Sequence, residues 1–217
     1  MGMSNLGLPG EPQAITVASS RWASHLPPGA WPDAFALSGQ VWRADVFALA
    51  QRWRSGEVTS VQFAAGVLAW GYGVRGYGPH RTNRILRHDL AADHLDTALA
   101  GLRAELVPLA TLLDCYEQLR STAKLKGLGP AFFTKILYFA GYRRGHGGPQ
   151  PLILDSVVAA RLPPEAGAAP RFTSGWWTST WRDYLLWAAE QADRTEYGGE
   201  PDHVEMDLFC GTWRPAG

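Results

Sequence analysis

The chain has 217 residues, 46% of them hydrophobic and 18% charged, with 20 basic and 20 acidic side chains. That length buries one good core, arranged as one domain or two closely joined lobes, and the composition excludes a disordered chain. No apolar run reaches about 18 residues, and Met1–Pro12 lacks the basic-then-apolar pattern of a secretory leader, so neither a membrane span nor export is expected and the cytoplasm is the expected location.

Residues 1–40, rich in Pro, Gly and Ser, read as an irregular arm, and residues 41–217 as the body. Val46, Leu49, Ala50 and Trp53 recur at helical spacing until Ser55-Gly56 stops them. Thr59 or Ser60 then caps a helix carrying Phe63, Val67 and Trp70. Gly71-Tyr72-Gly73-Val74-Arg75-Gly76 follows, a Gly-x-Gly-x-x-Gly run with Asp89 and Asp93 downstream. A dinucleotide fingerprint needs a strand before its glycines. A helix runs into these, so they read instead as a helix-ending loop where the backbone passes close to another body. Leu95, Leu99, Leu102 and Leu106 form a third stripe, and Leu109, Leu112, Leu113 and Tyr116 a fourth with Pro108 in its first turn. Ala131 to Tyr142 makes a fifth helix, Asp155 to Leu162 a short sixth, and Trp181, Tyr184, Leu185 and Ala188 a seventh. Asp202 to Trp213 closes the chain, and Pro163 to Pro170 reads as a loop between lobes. No strand alternation is found, so the expected fold is all-α, two helical lobes with a cleft between them.

Charge is unevenly distributed. From Gln118 to Leu154 there is no Asp or Glu, while Arg120, Lys124, Lys126, Lys135, Arg143 and Arg144 are all present. A second basic stretch holds Arg75, Arg81, Arg84 and Arg87, and acid gathers from Asp183 to Asp207. One basic and one acidic face suit a polyanionic partner better than the zero net charge suggests; a solvated surface with accidental clustering is the other reading. Cys115 and Cys210, set in apolar helical patterns, are expected to be reduced core thiols. The six histidines are scattered, and no metal site is expected.

Lys126-Gly127-Leu128-Gly129-Pro130 joins the helix ending near Ala123 to the one beginning at Ala131. A Gly-x-Gly hairpin between helices lets backbone N–H groups converge at a helix N-terminus, where they bind a phosphate oxygen. Such a hairpin also occurs as a plain connection. Two of the three lysines in the chain, Lys124 and Lys126, lie beside it. The third, Lys135, sits in Ala131-Phe132-Phe133-Thr134-Lys135-Ile136-Leu137-Tyr138-Phe139-Ala140, a helix apolar nearly all round. Burying an ammonium among aromatics is costly unless it is paired, and a neutral amine is what Schiff-base chemistry requires. A lysine whose stem packs while its head reaches water is the alternative. Asp155 follows an apolar approach, Pro151 to Leu154, and reads either as a helix N-cap or as a carboxylate that takes a proton from Lys135 and stabilises a cationic sugar.

Together these residues resemble the helix-hairpin-helix DNA glycosylase superfamily, whose hairpin is followed about twenty residues later by a catalytic aspartate. The stretch from Phe132 to Ala140, with Leu154-Asp155, Val158-Ala159 and Arg161-Leu162 after it, is most similar to archaeal 8-oxoguanine DNA glycosylases and to bacterial proteins of the 8-oxoguanine glycosylase fold. The resemblance runs from about Phe63 to Trp213. It departs from the endonuclease III-like pattern, in which the lysine lies two residues past the Gly-x-Gly; here that place is Ala131, and Lys135 comes one turn later.

The resemblance implies a DNA N-glycosylase with AP lyase activity that flips out an oxidised or modified purine, 8-oxoguanine first, without a cofactor. Lys135 would be the nucleophile and Asp155 its activator. Trp70, Phe132, Glu205 and Phe209 would form the base pocket, although Asp202 to Glu205 also reads as a capping box with Phe209 in the core. Lys124, Lys126, Gly127, Leu128, Gly129 and Arg81 would hold phosphates. The implied partner is double-stranded DNA with a damaged base, bound by a nucleoid-associated monomer. Two rivals stand beside it: a DNA- or partner-binding domain of this fold that has lost the chemistry, and an enzyme acting on free nucleosides or on modified foreign DNA.

Overall fold

The structure, a computed structural model, describes residues 14–33, 39–74, 76–167 and 175–215. Helix dominates, so the chain is all-α as expected; the one sheet among the described residues is a two-residue antiparallel bridge. The chain divides into two compact units, the first drawing on residues up to 97 and on 123–128, the second on 98–122 and from 129 onward. No described helix is long and apolar enough to cross a membrane. Arg75 and parts of the arm and of the Pro163–Pro170 loop lie outside the described residues.

The first unit contains β1 (Ile15–Thr16), α1 (Ser19–His25), β2 (Gln40–Val41), α2 (Arg43–Arg54), α3 (Ser60–Tyr72) and α4 (Gly78–Leu86), and most of α5 (Ala91–Leu99). The arm is thus not wholly irregular. Ile15 pairs with Val41 and Thr16 with Gln40, and α1 packs on α4 through the buried Trp22. Helix α3 starts with a capping box: the Thr59 hydroxyl accepts from the Gln62 amide, and the Gln62 side chain accepts from the Thr59 amide. Trp53 of α2 stacks on Phe63 of α3 at 5.1 Å and donates its indole N–H to Ser60, which closes the core without an orphaned polar atom there. Helix α3 runs through Gly71 to Tyr72 and stops at Gly73. That glycine combines φ of 56° with a position where a Cβ would lie 3.0 Å from the Ile15 side chain. The close neighbour expected beside these glycines is therefore β1.

The second unit contains a 3-10 turn (Ala100–Arg103), α6 (Leu109–Arg120), α7 (Pro130–Gly141), α8 (Ser156–Ala159), α9 (Thr178–Ala192) and α10 (Pro201–Cys210). Its core centres on Tyr116 of α6, which meets Phe133 of α7 edge-on at 4.8 Å and stacks on Trp181 of α9 at 4.9 Å. The Trp181 indole donates to the carbonyl of Leu152, tying the extended Leu152–Leu154 segment to α9.

Three helices end earlier than their spacing suggests. The third stripe tightens into the 3-10 turn at Gly101, where a Cβ would sit 2.6 Å from Thr111, and Leu106 beyond it is exposed. Helix α8 stops at Ala159, three residues short of Leu162. Helix α10 stops at Cys210 because Gly211, at φ of 79°, turns the chain out of the helix. Cys210 is consequently exposed, not a core thiol, whereas Cys115 is buried, and burial with the nearby Asp114 pushes its thiol up to about 11.

Candidate active site

Helix α7 is buried from Phe133 to Gly141, so the polar side chains of its first turns, Thr134 and Lys135, must find partners inside. Both do so on the segment that leads into α8. The Thr134 hydroxyl lies 2.8 Å from the Pro130 carbonyl and 3.2 Å from the Leu154 carbonyl, and it accepts from the Leu154 amide at 3.1 Å. One residue further along each chain, the Lys135 ammonium donates to Asp155 Oδ2 at 2.7 Å. Asp155 Oδ1 accepts from the amides of Val157 and Val158 at 3.0 and 3.2 Å, which caps α8. The cap uses one oxygen of the carboxylate, and the contact with Lys135 uses the other.

The Lys135 side chain is 9% exposed and that of Asp155 17%, so the head group does not snorkel into water. Burial alone would raise the Asp155 carboxyl. The Lys135 charge and hydrogen bond, joined by the two α8 amides, outweigh it and hold that carboxyl below the usual carboxylate range. The Lys135 Nζ also lies 3.0 Å from the Ala131 carbonyl and 5.8 Å from the centre of the Phe132 ring. Helical side chains lean toward the N-terminus of their helix. The amine of Lys135 therefore sits one turn before its own Cα, beside Ala131.

A brace joins α7 to α10. The carboxylate of Asp202, wholly buried, accepts from the hydroxyls of Tyr138 and Tyr142 at 2.9 Å each and from the Arg144 guanidinium at 2.5 Å. The Tyr142 hydroxyl also lies 2.7 Å from Glu200, and burial followed by the Asp202 charge raises its pKa. Asp202 thus turns inward and does not form the capping box expected with Glu205; Glu200 takes the N-cap position of α10, without a side-chain cap bond. Glu205 is fully buried on the same helix, whereas Phe209 is 38% exposed, not in the core.

The family described as "Putative 8-oxoguanine DNA glycosylase OGG-like protein" matches residues 9–209. The chain belongs to that family. No curated protein and no solved structure matches it.

In this OGG-like chain the second unit holds Lys135, Asp155, Phe132, Glu205 and Phe209, with the first two in contact. Trp70 lies in the first unit at the end of α3, with the Arg43 guanidinium 5.3 Å from its ring centre. There it lines a cavity of about 560 Å³ with Ile15, Thr16, Gln40, Trp42 and Gly73. Arg81 is exposed on α4. Lys124 and Lys126 are exposed in the turn of the first unit, where Gly127 adopts φ of 96° and the Leu128 amide donates to the Leu125 carbonyl. Gly129 begins the returning chain in the second unit as the N-cap of α7, its carbonyl accepting from the amides of Phe132 and Phe133.

In the OGG-like chain several cations of the acid-free stretch are engaged within the protein. Arg143 donates to the carbonyls of Leu102, Ala104, Ala140 and Tyr142, Arg144 is paired with Asp202, Arg120 with Glu117, and Lys135 with Asp155. These four cations make contacts within the protein, Arg144 while still exposed, and Lys124 and Lys126 are exposed as well. The acidic side is drawn on similarly, since Asp202 and Glu205 are buried. No cluster of three His, Cys, Asp or Glu able to hold a metal occurs among the described residues.

Sequence reading passed over the Thr134 ties, the Tyr138 and Tyr142 brace, and Arg161, whose guanidinium donates to the carbonyls of Leu208 and Phe209 at the end of α10. A threonine inside an otherwise apolar helix was the one local signal for the first. Nothing local marked the other two, whose partners lie about fifty residues away or more.

Proposed function

We propose that this chain is a helix-hairpin-helix DNA N-glycosylase with AP lyase activity, of the archaeal 8-oxoguanine glycosylase type, acting on an oxidised or modified purine. The observation that carries the reading is the 2.7 Å contact between Lys135 and Asp155, inside a chain that belongs to an OGG-like family. The target nucleotide is flipped out of the duplex and held against aromatic side chains, Phe132 and Phe209 of the second unit. Lys135 passes a proton to Asp155, and the free amine forms a bond to the sugar C1′. The C1′–N bond to the base breaks, its electron pair leaves with the base, and the base is protonated. The proton the base takes up comes from Asp155, and the carboxylate, ionised again, favours the positive sugar. Ring opening gives an imine at C1′, and loss of a C2′ proton expels the 3′ phosphate by β-elimination. The hairpin around Lys124, Lys126, Gly127, Leu128 and Gly129, with Arg81, would hold phosphates.

The family description supports the purine, and the pairing of the buried Lys135 amine with Asp155 supports the lyase step. Cytoplasmic, nucleoid-associated and monomeric action on damaged duplex DNA completes the reading. The test is borohydride reduction with duplexes carrying 8-oxoguanine or other altered purines, beside a base-release assay. A covalent protein–DNA adduct that forms with base release is expected. Base release without an adduct would make the enzyme monofunctional, with water as nucleophile. No release from any duplex would favour the rival reading, a DNA- or partner-binding domain, to which the zero net charge and the internally engaged arginines lend weight.

A further inference from the structure

We propose that Thr134 is a positioning residue for the lysine–aspartate pair, setting the register in which Asp155 meets Lys135. The inference rests on the glycosylase reading for its kinetic part and on geometry for the rest. A buried threonine in a helix can satisfy its hydroxyl alone by bonding the carbonyl four residues back. Thr134 does this with Pro130 at 2.8 Å, and its oxygen also takes up the Leu154 amide at 3.1 Å. Leu154 belongs to no helix or strand, so its amide has no ladder to join. Thr134–Leu154 and Lys135–Asp155 are adjacent rungs between the same two stretches, each joining residues twenty apart. The neutral rung is wholly buried; the charged rung beside it is reached by water from the Asp155 side. Without the neutral rung, the residue before Asp155 loses its tie to α7, and the carboxylate relies on the more distant Trp181–Leu152 bond, on the short α8 and on the flexible lysine it is meant to act on. A misplacement of about 1 Å at reacting groups costs about 100-fold in rate.

The experiment compares wild type with Thr134→Val, which keeps the shape and removes the hydroxyl, and with Thr134→Ser, which restores it. Single-turnover base release by the Val variant is expected to fall about 10- to 100-fold, with duplex affinity within about twofold of wild type. The Ser variant is expected to recover most of the rate. Independently of activity, carboxyl-carbon NMR titration should show Asp155 moving up toward the ordinary value of about 3.9 in the Val variant and not in the Ser variant. If Val fails to fold, Thr134→Ala is read by the same two measurements. Should wild type release no base at all, the glycosylase reading falls while the titration still decides the role of Thr134. An unmoved Asp155 titration in a folded hydroxyl-less variant, or full base release by it, overturns the proposal.

Discussion

Replacing Asp155 by Asn keeps an oxygen for the amides of Val157 and Val158 but puts an uncharged group where Oδ2 faces the Lys135 ammonium at 2.7 Å. Asn caps a helix about as well as Asp, so that half of the role survives. Removing one partner of a buried ion pair costs about 3–5 kcal/mol. Water reaches this pair through the Asp155 side chain, 17% exposed, so the low end, about 3 kcal/mol, is expected. In a chain of this size that lowers the melting temperature by about 6–12 °C. The folded-state carboxyl titrates below its unfolded value, so its stabilising contribution is complete above about pH 3.9 and is lost as pH falls through the folded value. The stability gap between wild type and Asn is therefore full at neutral pH and closes in acid. Base release should fall about 10²- to 10⁴-fold, since both proton acceptance and charge stabilisation go with the carboxylate. Asp155→Ala should lose about 1 kcal/mol more, the value of the cap. Urea unfolding at pH 7 and pH 3, with single-turnover base release, measures all of this. An Asn variant with wild-type stability at pH 7 and wild-type base release would refute the reasoning and leave Asp155 as a cap alone.

Lys135→Gln is expected to fold and to give no borohydride adduct; an adduct on the Gln variant would move the nucleophile elsewhere. Lys124→Ala with Lys126→Ala should weaken duplex binding and lower the slope of log affinity against log salt by about 0.9 for each phosphate that is no longer neutralised. An unchanged slope would make the Gly127 turn a plain connection. Arg144→Met strips the buried Asp202 of its cation while Tyr138 and Tyr142 still donate, so a loss of about 1.5–3 kcal/mol is expected in urea unfolding. Wild-type stability in that variant would show that the tyrosines alone hold α10 on α7.

The long periodic helices were legible because their apolar faces are continuous: Trp53 with Val46, and Trp181 with Tyr184 and Leu185, lie buried where the spacing places them. Ends were less legible, because the tightening into a 3-10 turn at Ala100–Arg103 and the backbone angle of Gly211 that ends α10 are not displayed by the residue names. The pairing of Lys135 with Asp155 was open to reading, since an apolar helix cannot hold a lone ammonium. Its precision was not, because that depends on Thr134 and on two amides of α8. How much of the basic stretch is engaged internally was not legible, for a general reason. Counting charges along a sequence cannot tell an arginine that meets solvent from one that, like Arg143, spends its donors on four carbonyls of its own chain.

The lean of Lys135 back to the Ala131 carbonyl bears on how such sites are compared between proteins. A lysine side chain is about as long as one helical pitch, about 5.4 Å. The tether at Lys135 thus delivers its nitrogen about one turn nearer the hairpin than its own Cα. Where a side chain is attached and where its charge is used are different places on the helix. Alignments that demand a fixed spacing compare only the first. Superposing nitrogen atoms, not columns of letters, is the comparison that respects the chemistry.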